Sequence, residues 1–219
     1  MDTKTVLAHV DHTLLKPEAT EAQVAALCRE ALAYGVASVC INPRYVPLAA
    51  SILQDKIAVC TVVGFPLGAM TREAKVFEAQ DAIAKGADEI DMVISIGDLK
   101  DKKFDAIESE IRAVKAVIGN RILKVIIETC LLTDAEKRRM CHLVARAGGD
   151  YIKTSTGFSS GGATAADIAL FAEETQGCIK IKAAGGIKSC ADMQTFLSLG
   201  ADRLGSSSAI RLMKEDGLL

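Results

Sequence analysis

Short apolar runs alternate with longer amphipathic stretches along the whole chain. The apolar runs are rich in Val and Ile and have the length of buried strands. The amphipathic stretches place apolar residues at helical spacing, which is typical of a helix with one buried face. This pattern predicts eight strands, which start near residues 9, 36, 57, 88, 123, 151, 179 and 203.

A glycine recurs at the junctions that precede the second, fourth, sixth and eighth predicted strands. Gly35, Gly86, Gly148 and Gly200 are 51, 62 and 52 residues apart. Each follows an amphipathic stretch, and a glycine in the left-handed region commonly ends a helix. Successive predicted strands start about 27 residues apart on average, which is the length of one strand plus one helix.

Several helix starts are also visible in the sequence. Ser or Thr followed three residues later by Gln, Glu or Asp is a capping pattern, and it occurs at Thr20, Thr133, Thr164 and Ser189. The first of these opens a predicted helix that runs to Tyr34. A further helix is predicted over residues 100–118, where apolar residues recur at helical spacing.

Eight strand–helix units in 219 residues predict a (β/α)₈ TIM barrel near its lower size limit. No linker or low-complexity tract interrupts the pattern, so residues 1–219 are expected to form one domain. The alternative is an open, doubly wound parallel sheet. Such a sheet more often carries a Gly-x-Gly-x-x-Gly turn after its first strand, and this chain has none.

Composition narrows the classes of partner. The 26 basic and 28 acidic residues give a net charge of −2, so neither nucleic acid nor a membrane surface is an expected partner. Half of the residues are hydrophobic, which excludes bulk disorder. Only 4% are aromatic, and the core must therefore be built from aliphatic side chains.

The cysteines and the N-terminus indicate a cytoplasmic protein. The seven cysteines include no Cys-x-x-Cys pair, which favours reduced thiols over a disulfide framework or a zinc site. The first residues lack a basic segment followed by an apolar run, so no signal peptide is expected. The longest apolar stretch, residues 57–70, is interrupted by Gly and Pro and is too short to span a bilayer.

Two lysines lie inside predicted buried strands, where a charged side chain costs free energy. Lys153 lies inside the apolar sixth strand, and Lys182 lies near the end of the seventh strand. In a (β/α)₈ barrel this end carries the active site, so Lys182 is favoured over Lys180. A lysine is nucleophilic only as the neutral amine, which burial or a neighbouring cation favours. Lys182 can be that cation for Lys153, although both could instead be salt-bridged residues of the barrel rim.

Two aspartates are candidates for the same interior. Asp91 lies mid-strand on the polar face of the fourth strand, where it could either pair with an inward lysine or transfer protons. Asp11, in the first strand, is a candidate orienting group. His12 lies on the opposite face and is interpreted as a packed histidine. The three histidines form no spaced ligand set, and no metal site is predicted.

Glycine- and serine-rich turns follow the last three strands. Gly185-Gly186 ends the seventh strand, Gly205-Ser206-Ser207 ends the eighth, and residues 157–162 follow the sixth. Backbone N–H groups in such turns bind phosphate, and in barrels this site lies after strands seven and eight. Ordinary turn chemistry is the alternative explanation.

Six segments together resemble the deoxyribose-phosphate aldolase family. They are Asp11-His12-Thr13-Leu14-Leu15-Lys16-Pro17, Val39-Cys40-Ile41-Asn42-Pro43, Thr61-Val62-Val63-Gly64-Phe65-Pro66-Leu67-Gly68, Glu89-Ile90-Asp91-Met92-Val93, Lys153-Thr154-Ser155-Thr156-Gly157-Phe158 and Lys182-Ala183-Ala184-Gly185-Gly186. The resemblance extends from about residue 7 to 213. The Asp-His-Thr-Leu opening and the Lys-Thr-Ser-Thr-Gly segment are the most specific parts.

The resemblance implies a class I aldolase on a (β/α)₈ barrel that needs no metal or cofactor. Such an enzyme reversibly cleaves 2-deoxy-D-ribose 5-phosphate to D-glyceraldehyde 3-phosphate and acetaldehyde, in deoxyribose phosphate catabolism. Its partners would be a sugar phosphate and aldehydes. An imine-independent sugar-phosphate isomerase or lyase and a non-catalytic sugar-phosphate sensor are the alternatives. A homo-oligomer, either a dimer or a tetramer, is left open.

The resemblance also implies residue roles. The Schiff-base lysine falls on Lys153, the second lysine on Lys182, the proton-relay aspartate on Asp91 and the supporting aspartate on Asp11. The implied substrate-binding residues are Cys40, Thr154, Gly157, Gly185, Gly186, Gly205, Ser206 and Ser207.

One position departs from some members of the family, which carry a lysine directly after the Lys-Thr-Ser-Thr-Gly glycine. This chain has Phe158 there. Phosphate binding is therefore expected to depend on backbone amides and hydroxyls rather than on a fixed charge.

Overall fold

A computed structural model describes residues 2–219; Met1, the first residue of the predicted domain, lies outside the described residues. Eight parallel strands form a closed barrel in sequence order, β1 to β8, and β8 pairs with β1 through Asp11 and Gly205. This confirms the (β/α)₈ prediction and excludes the open sheet. The strands are β1 (Val10–Leu14), β2 (Ser38–Ile41), β3 (Ala58–Val63), β4 (Glu89–Val93), β5 (Ile122–Ile126), β6 (Tyr151–Lys153), β7 (Lys180–Ala184) and β8 (Arg203–Ser206).

Helices surround the barrel. They are α1 (Thr3–Leu7), α2 (Glu21–Tyr34), α3 (Val46–Leu53), α4 (Arg72–Ala84), α5 (Ile96–Lys100), α6 (Phe104–Ile118), α7 (Asp134–Arg146), α8 (Ala165–Thr175), α9 (Cys190–Ser198) and α10 (Ala209–Glu215), with short 3₁₀ turns at Pro43–Tyr45 and Thr129–Leu131. Among residues 2–219, no helix combines the length and the hydropathy needed to cross a membrane.

The predicted helix starts are confirmed. Thr20 and Thr133 form complete capping boxes, and Thr164 and Ser189 each accept a hydrogen bond from the backbone N–H three residues on. The prediction of one helix over 100–118 is wrong at its start. Residues 101–103 form a turn between α5 and α6, and Lys102 has a φ of 58°, which a continuous helix does not tolerate.

The four recurring glycines have positive φ, as their predicted role at helix ends requires. Gly35 directly caps α2 in the left-handed conformation, and its N–H donates to the carbonyl of Ala31. The other three follow their helices by one or two residues. Each therefore turns the chain from the end of a helix toward the next strand.

The apolar core lies between the barrel and its helices. Side chains such as Ile90, Met92 and Ile152 point outward from the strands and are fully buried there. The inward-facing positions of the same strands carry Asp91 and Lys153, which are also buried. Because side chains alternate along a strand, one face of each strand builds the core and the other builds a polar barrel interior.

Candidate active site

A cavity of about 380 Å³ opens at the C-terminal ends of the strands. Lys153, the last residue of β6, contributes to its lining, and Lys16 is the other cationic residue there. No carboxylate of the described residues lines this cavity. The remaining lining residues are Thr13, Leu14, Leu15, Thr156, Gly157, Phe158, Ala184, Gly185, Gly186, Gly205 and Ser207.

Asp91 joins the two predicted lysines below this cavity. Its Oδ2 lies 2.6 Å from Lys153 Nζ and 2.6 Å from Lys182 Nζ. The two nitrogens are therefore separated by no more than about twice that distance. Adjacent strands cause this arrangement, because Lys153 and Lys182 are direct partners in the β6–β7 ladder. The prediction that both amines face each other inside the barrel is confirmed.

Asp11 is the second carboxylate that contacts Lys182, through its Oδ2. Its Oδ1 accepts hydrogen bonds from Ser38 Oγ at 2.7 Å and from Arg203 at 2.5 Å. Burial would raise the pKa of Asp11, but the charges of Lys124, Lys182 and Arg203 outweigh burial and hold that pKa well below its usual range. Asp11 is therefore an ionised, fully bonded support for Lys182.

Lys182 and Asp91 both stay ionised because neighbouring charges of opposite sign outweigh the effect of burial. Burial would lower the pKa of Lys182, but the carboxylates of Asp11 and Asp91 raise it above its usual value. Burial would raise the pKa of Asp91, but Lys124, Lys153 and Lys182 together lower it far below its usual value. The site thus holds a fixed cation and a fixed anion beside Lys153.

Lys124 is a third interior lysine, which was not among the predicted site residues. It is fully buried and lies 2.5 Å from Glu89, 2.9 Å from Asp91 and 3.5 Å from Asp11. Its position in the middle of apolar β5 is the same signal that identified Lys153. Arg203 bonds Glu89 at 3.2 Å and closes the base of the cluster.

The charges of this interior cluster do not balance when every group is ionised. Three carboxylates face four cationic side chains, so the cluster carries one excess positive charge. An excess charge in a buried site is costly, and the loss of one proton from an amine removes it. The members of the cluster are Asp11, Glu89, Asp91, Lys124, Lys153, Lys182 and Arg203.

The glycine turns after β7 and β8 form part of the cavity wall. Gly185 and Gly186 have φ of 74° and 75°, and both line the cavity with Gly205 and Ser207. The N–H groups of Gly186 and Ser207 donate no backbone hydrogen bond within the described part of the chain. Free amides of this kind are available to an anion.

The sequence of this chain matches the model of a known protein family over most of its length. The model of the DeoC/LacD family aldolases matches residues 5–207, which include every strand of the barrel and the whole interior cluster. The chain belongs to the DeoC/LacD aldolase family. The resemblance inferred from the six sequence segments is thereby confirmed.

Individual members of this aldolase family are similar over nearly their full length. Deoxyribose-phosphate aldolase from Clostridium botulinum (strain Eklund 17B) is 52% identical over 214 residues, which cover 98% of this chain and 97% of that protein. The aldolase QR15 superposes with a TM-score of 0.93 at 36% identity, covering 96% and 95% of the two chains. A tetrameric deoxyribose phosphate aldolase from Aeropyrum pernix gives 0.90 at 31% identity, covering 99% and 92%.

Three residues predicted to bind substrate do not line the cavity of this aldolase. Cys40 is buried beside Cys60 in a small apolar cluster. The Thr154 hydroxyl donates to the carbonyl of Ala184 and accepts from its backbone N–H, so it joins the end of β6 to β7. Ser206 is buried, and its Oγ accepts from the N–H of Ser208. Among these three side chains, that of Thr154 is bonded to a lining residue, Ala184.

Two groups of side chains in the aldolase interior have the composition of a metal site. Cys40, Cys60 and Asp91 offer ligand atoms within 4.8 Å of one another, as do Asp11, Cys60 and Glu89. The ammonium groups of Lys124 and Lys182 already occupy the carboxylate oxygens. A further cation there would add to an excess of positive charge, so these residues do not fit a metal ion.

The two thiols of this pair differ in character. Burial, the Cys40 thiol and the Asp91 charge all raise the pKa of Cys60 well above its usual value. A hydrogen bond from Cys60 outweighs burial at Cys40 and lowers the pKa of that thiol. Cys60 is therefore a neutral donor, 3.1 Å from Asp91 Oδ1.

Phe158 stands at the mouth of the cavity and is half exposed. Its ring packs edge-to-face on Phe65, with ring centres 5.3 Å apart. The two rings come from the loops that follow β6 and β3, so an aromatic contact joins these loops across the opening.

Proposed function

We propose that the protein is a class I aldolase that reversibly cleaves 2-deoxy-D-ribose 5-phosphate to D-glyceraldehyde 3-phosphate and acetaldehyde, with Lys153 as the Schiff-base residue. The bridging of Lys153 and Lys182 by one oxygen of Asp91 is the observation that carries this proposal. The names of the relatives, deoxyribose-phosphate aldolase, support the substrate.

The contacts of the three interior lysines single out Lys153. Lys153 is the cationic member of the interior cluster that lines the cavity. Lys182 and Lys124 each contact at least two carboxylates, whereas Lys153 contacts only Asp91. Lys153 is therefore the interior amine that a substrate can reach and the one with the fewest ionic partners.

The covalent step begins with attack of the neutral Lys153 Nζ on the C1 aldehyde of the open-chain sugar. Loss of water gives an iminium, which accepts electrons as the C2–C3 bond breaks. The C3 hydroxyl loses its proton in this step, and glyceraldehyde 3-phosphate leaves. The remaining enamine is protonated at C2, and water then releases acetaldehyde and regenerates the amine.

Asp91 and Lys182 are placed to move the protons in these steps. Asp91 Oδ2 already contacts both amines, and Lys182 is held as the protonated partner by Asp11. A positioned acid–base pair of this kind commonly contributes about 10²–10⁴-fold to a rate. Asp11 acts through Lys182 and is a positioning residue.

Phosphate binding in this proposal depends on the glycine turns and on one lysine. The amides of Gly186 and Ser207 are free, and Lys16 lines the cavity without a carboxylate within ion-pair distance in the described chain. The lysine that some family members carry after Gly157 is replaced by Phe158. We expect the phosphate to bind to amides, with Lys16 as the nearest available cation on the cavity wall.

Reductive trapping tests the proposal directly. Acetaldehyde and borohydride should convert the Lys153 amine to an ethylamine in the wild-type enzyme, and peptide mapping should find that group on Lys153 alone. Lys153→Met should carry no adduct. Lys180→Met is the matched control, because Lys180 is exposed at the opposite end of β7.

Two outcomes would contradict the proposal. Turnover of 2-deoxyribose 5-phosphate without a trapped adduct would indicate an imine-independent lyase, if the sugar is cleaved, or an isomerase, if it is not. Binding of the sugar phosphate without release of glyceraldehyde 3-phosphate would indicate a sensor.

The cellular location and the oligomeric state of the enzyme stay predictions. All seven cysteines are free thiols, as is typical of proteins in a reducing cytoplasm. We expect this chain to form a homo-oligomer, either a dimer or a tetramer, and the tetrameric structure of the Aeropyrum relative supports this expectation.

A further inference from the structure

Glu128 is a buried carboxylate without a cationic partner. It lies two residues beyond the end of β5, and 2% of its surface is exposed. No Lys, Arg or His nitrogen of residues 2–219 lies within ion-pair distance of it. A buried carboxylate without a cationic partner is costly unless hydrogen bonds satisfy it. The hydrogen bonds of Glu128 therefore indicate its role.

All of these bonds go to one residue of the cavity wall. Glu128 Oε2 accepts from Thr156 Oγ1 at 2.5 Å, and its two oxygens lie 3.2 and 3.4 Å from Thr156 N. Thr156 Oγ1 in turn accepts from the N–H of Phe158 at 3.0 Å. One carboxylate thus fixes three successive residues of the turn that follows Lys153.

The backbone of Glu128 is strained to reach this position. Its φ and ψ are 54° and 67°, the left-handed region that non-glycine residues rarely adopt. The neighbouring N–H groups of Ile127 and Thr129 hold it there through bonds to the carbonyls of Lys153 and Thr154, at 3.1 and 2.8 Å. Strain of this kind persists where the surroundings enforce it, and it is concentrated at functional sites.

The turn held by Glu128 forms one wall of the cavity. Thr156, Gly157 and Phe158 all line it. Gly157 lies against the glycine turn after β7, since a Cβ on Gly185 would come within 3.4 Å of the Gly157 Cα. A shift of this turn therefore changes the space beside the free amides without moving Lys153, which the strand holds.

We propose that Glu128 is a positioning residue for substrate binding, which holds the Thr156–Phe158 turn against the glycine turn so that the phosphate end of the substrate fits. The proposal rests on the aldolase function proposed above. Glu128 does not line the cavity, so it acts through Thr156 and takes no part in the chemistry at Lys153.

Kinetics of Glu128→Ala with two substrates test this role. The KM for 2-deoxyribose 5-phosphate should rise about tenfold, which corresponds to about 1.4 kcal/mol. The kcat should change much less, and so should the kcat/KM for 2-deoxyribose, which lacks the phosphate. The KM of Glu128→Gln should stay close to the wild-type value, because the amide oxygen of Gln still accepts a hydrogen bond from Thr156.

A double-mutant cycle connects the effect to Thr156. Thr156→Val should raise the same KM on its own and add little in the Glu128→Ala background, because both substitutions remove one interaction. Additive effects would overturn the proposal. So would an unchanged KM in folded Glu128→Ala, or an equal loss with both substrates.

Glu136 provides a matched control. It also accepts hydrogen bonds from the N and Oγ1 of a threonine, Thr133, but at the start of α7 and outside the cavity. Glu136→Ala should lower the melting temperature and leave the KM unchanged.

Circular dichroism and trapping of acetaldehyde on Lys153 confirm that each variant is folded. An inactive wild type would refute the aldolase function itself, whereas a normal wild type with a normal Glu128→Ala refutes only the positioning role.

Discussion

Lys153 and Lys182 donate to the same oxygen of one carboxylate, Asp91 Oδ2, at 2.6 Å each. This shared acceptor keeps the two amines close without requiring that both be charged. If Lys153 loses its proton, Asp91 still has Lys182 and Lys124 as charged partners. The arrangement therefore tolerates a neutral Lys153, which the attack on an aldehyde requires.

Removal of Lys182 should slow the reaction. Lys182→Met takes away the amine that shares Asp91 Oδ2 with Lys153 and that Asp11 holds protonated, so a proton donor beside Lys153 is lost. The kcat/KM should fall by about 10²–10⁴-fold. Trapping of acetaldehyde by borohydride at neutral pH should be slower than in the wild type.

The control for this variant is Lys180→Met, which removes an exposed lysine from the same strand. Its kcat/KM and its trapping profile should match those of the wild type. An active Lys182→Met variant with an unchanged trapping rate would show that Lys182 takes no part in the reaction at Lys153.

Removal of Lys124 should cost stability. Its ammonium contacts Glu89, Asp91 and Asp11 in a fully buried site, so Lys124→Met leaves buried negative charge with fewer partners. Breaking a buried ion pair in this way costs about 3–5 kcal/mol. Urea unfolding at neutral pH measures this difference.

Lys85→Met is the comparison for Lys124→Met. Lys85, the C-cap residue of α4, pairs with Asp81 four residues earlier on the exposed surface, and exposed pairs at this helical spacing contribute about 0.3–0.5 kcal/mol. Equal losses of stability in the two variants would show that the interior charges are not mutually stabilising.

His12 should make stability depend on pH. Burial lowers the pKa of His12, and the hydrogen bond and charge of Glu30 compensate for this only in part. The unfolded chain, with a histidine pKa of about 6.5, therefore binds the proton more readily. Stability from this residue is complete above that pH and is lost as the pH falls below it.

Thermal unfolding between pH 7 and pH 5 measures this effect. The wild type should lose stability over this range, and His12→Gln should lose less, because Gln keeps a donor for Glu30 without a titrating ring. His142, which is exposed on α7, provides the control substitution. A steeper loss in His12→Gln would contradict the assignment.

The sequence predicts the barrel well because its signals are local. Alternation, caps and glycine positions depend on residues a few places apart, and they identified eight strands near their observed starts. The 100–118 helix failed because nothing local marks Lys102 as left-handed. Periodicity continues across the turn and conceals it.

The interior cluster was predicted only in part. Lys153, Lys182, Asp91 and Asp11 were identified, since a charge inside an apolar strand is conspicuous. Lys124 carried the same signal, but its role depends on contacts with three carboxylates of two other strands, β1 and β4, which closure of the barrel creates. Cys40, Thr154 and Ser206 lie near the cavity but do not line it, because their side chains are buried in contacts with other residues.

Phe158 offers the last prediction, because it occupies the place of a lysine at the cavity mouth. Phe158→Lys should add a cation near the free amides of the glycine turns. An exposed ion pair contributes up to about 1 kcal/mol, so the KM for 2-deoxyribose 5-phosphate should fall by roughly two- to fivefold at low salt. Added salt should reduce this gain, since it screens exposed charges. The KM for 2-deoxyribose should not fall, and Phe77→Lys, which adds the same charge at an exposed position of α4, should change neither value. A gain that persists at high salt, or that extends to the sugar without phosphate, would show that the mouth binds substrate by contact rather than by charge.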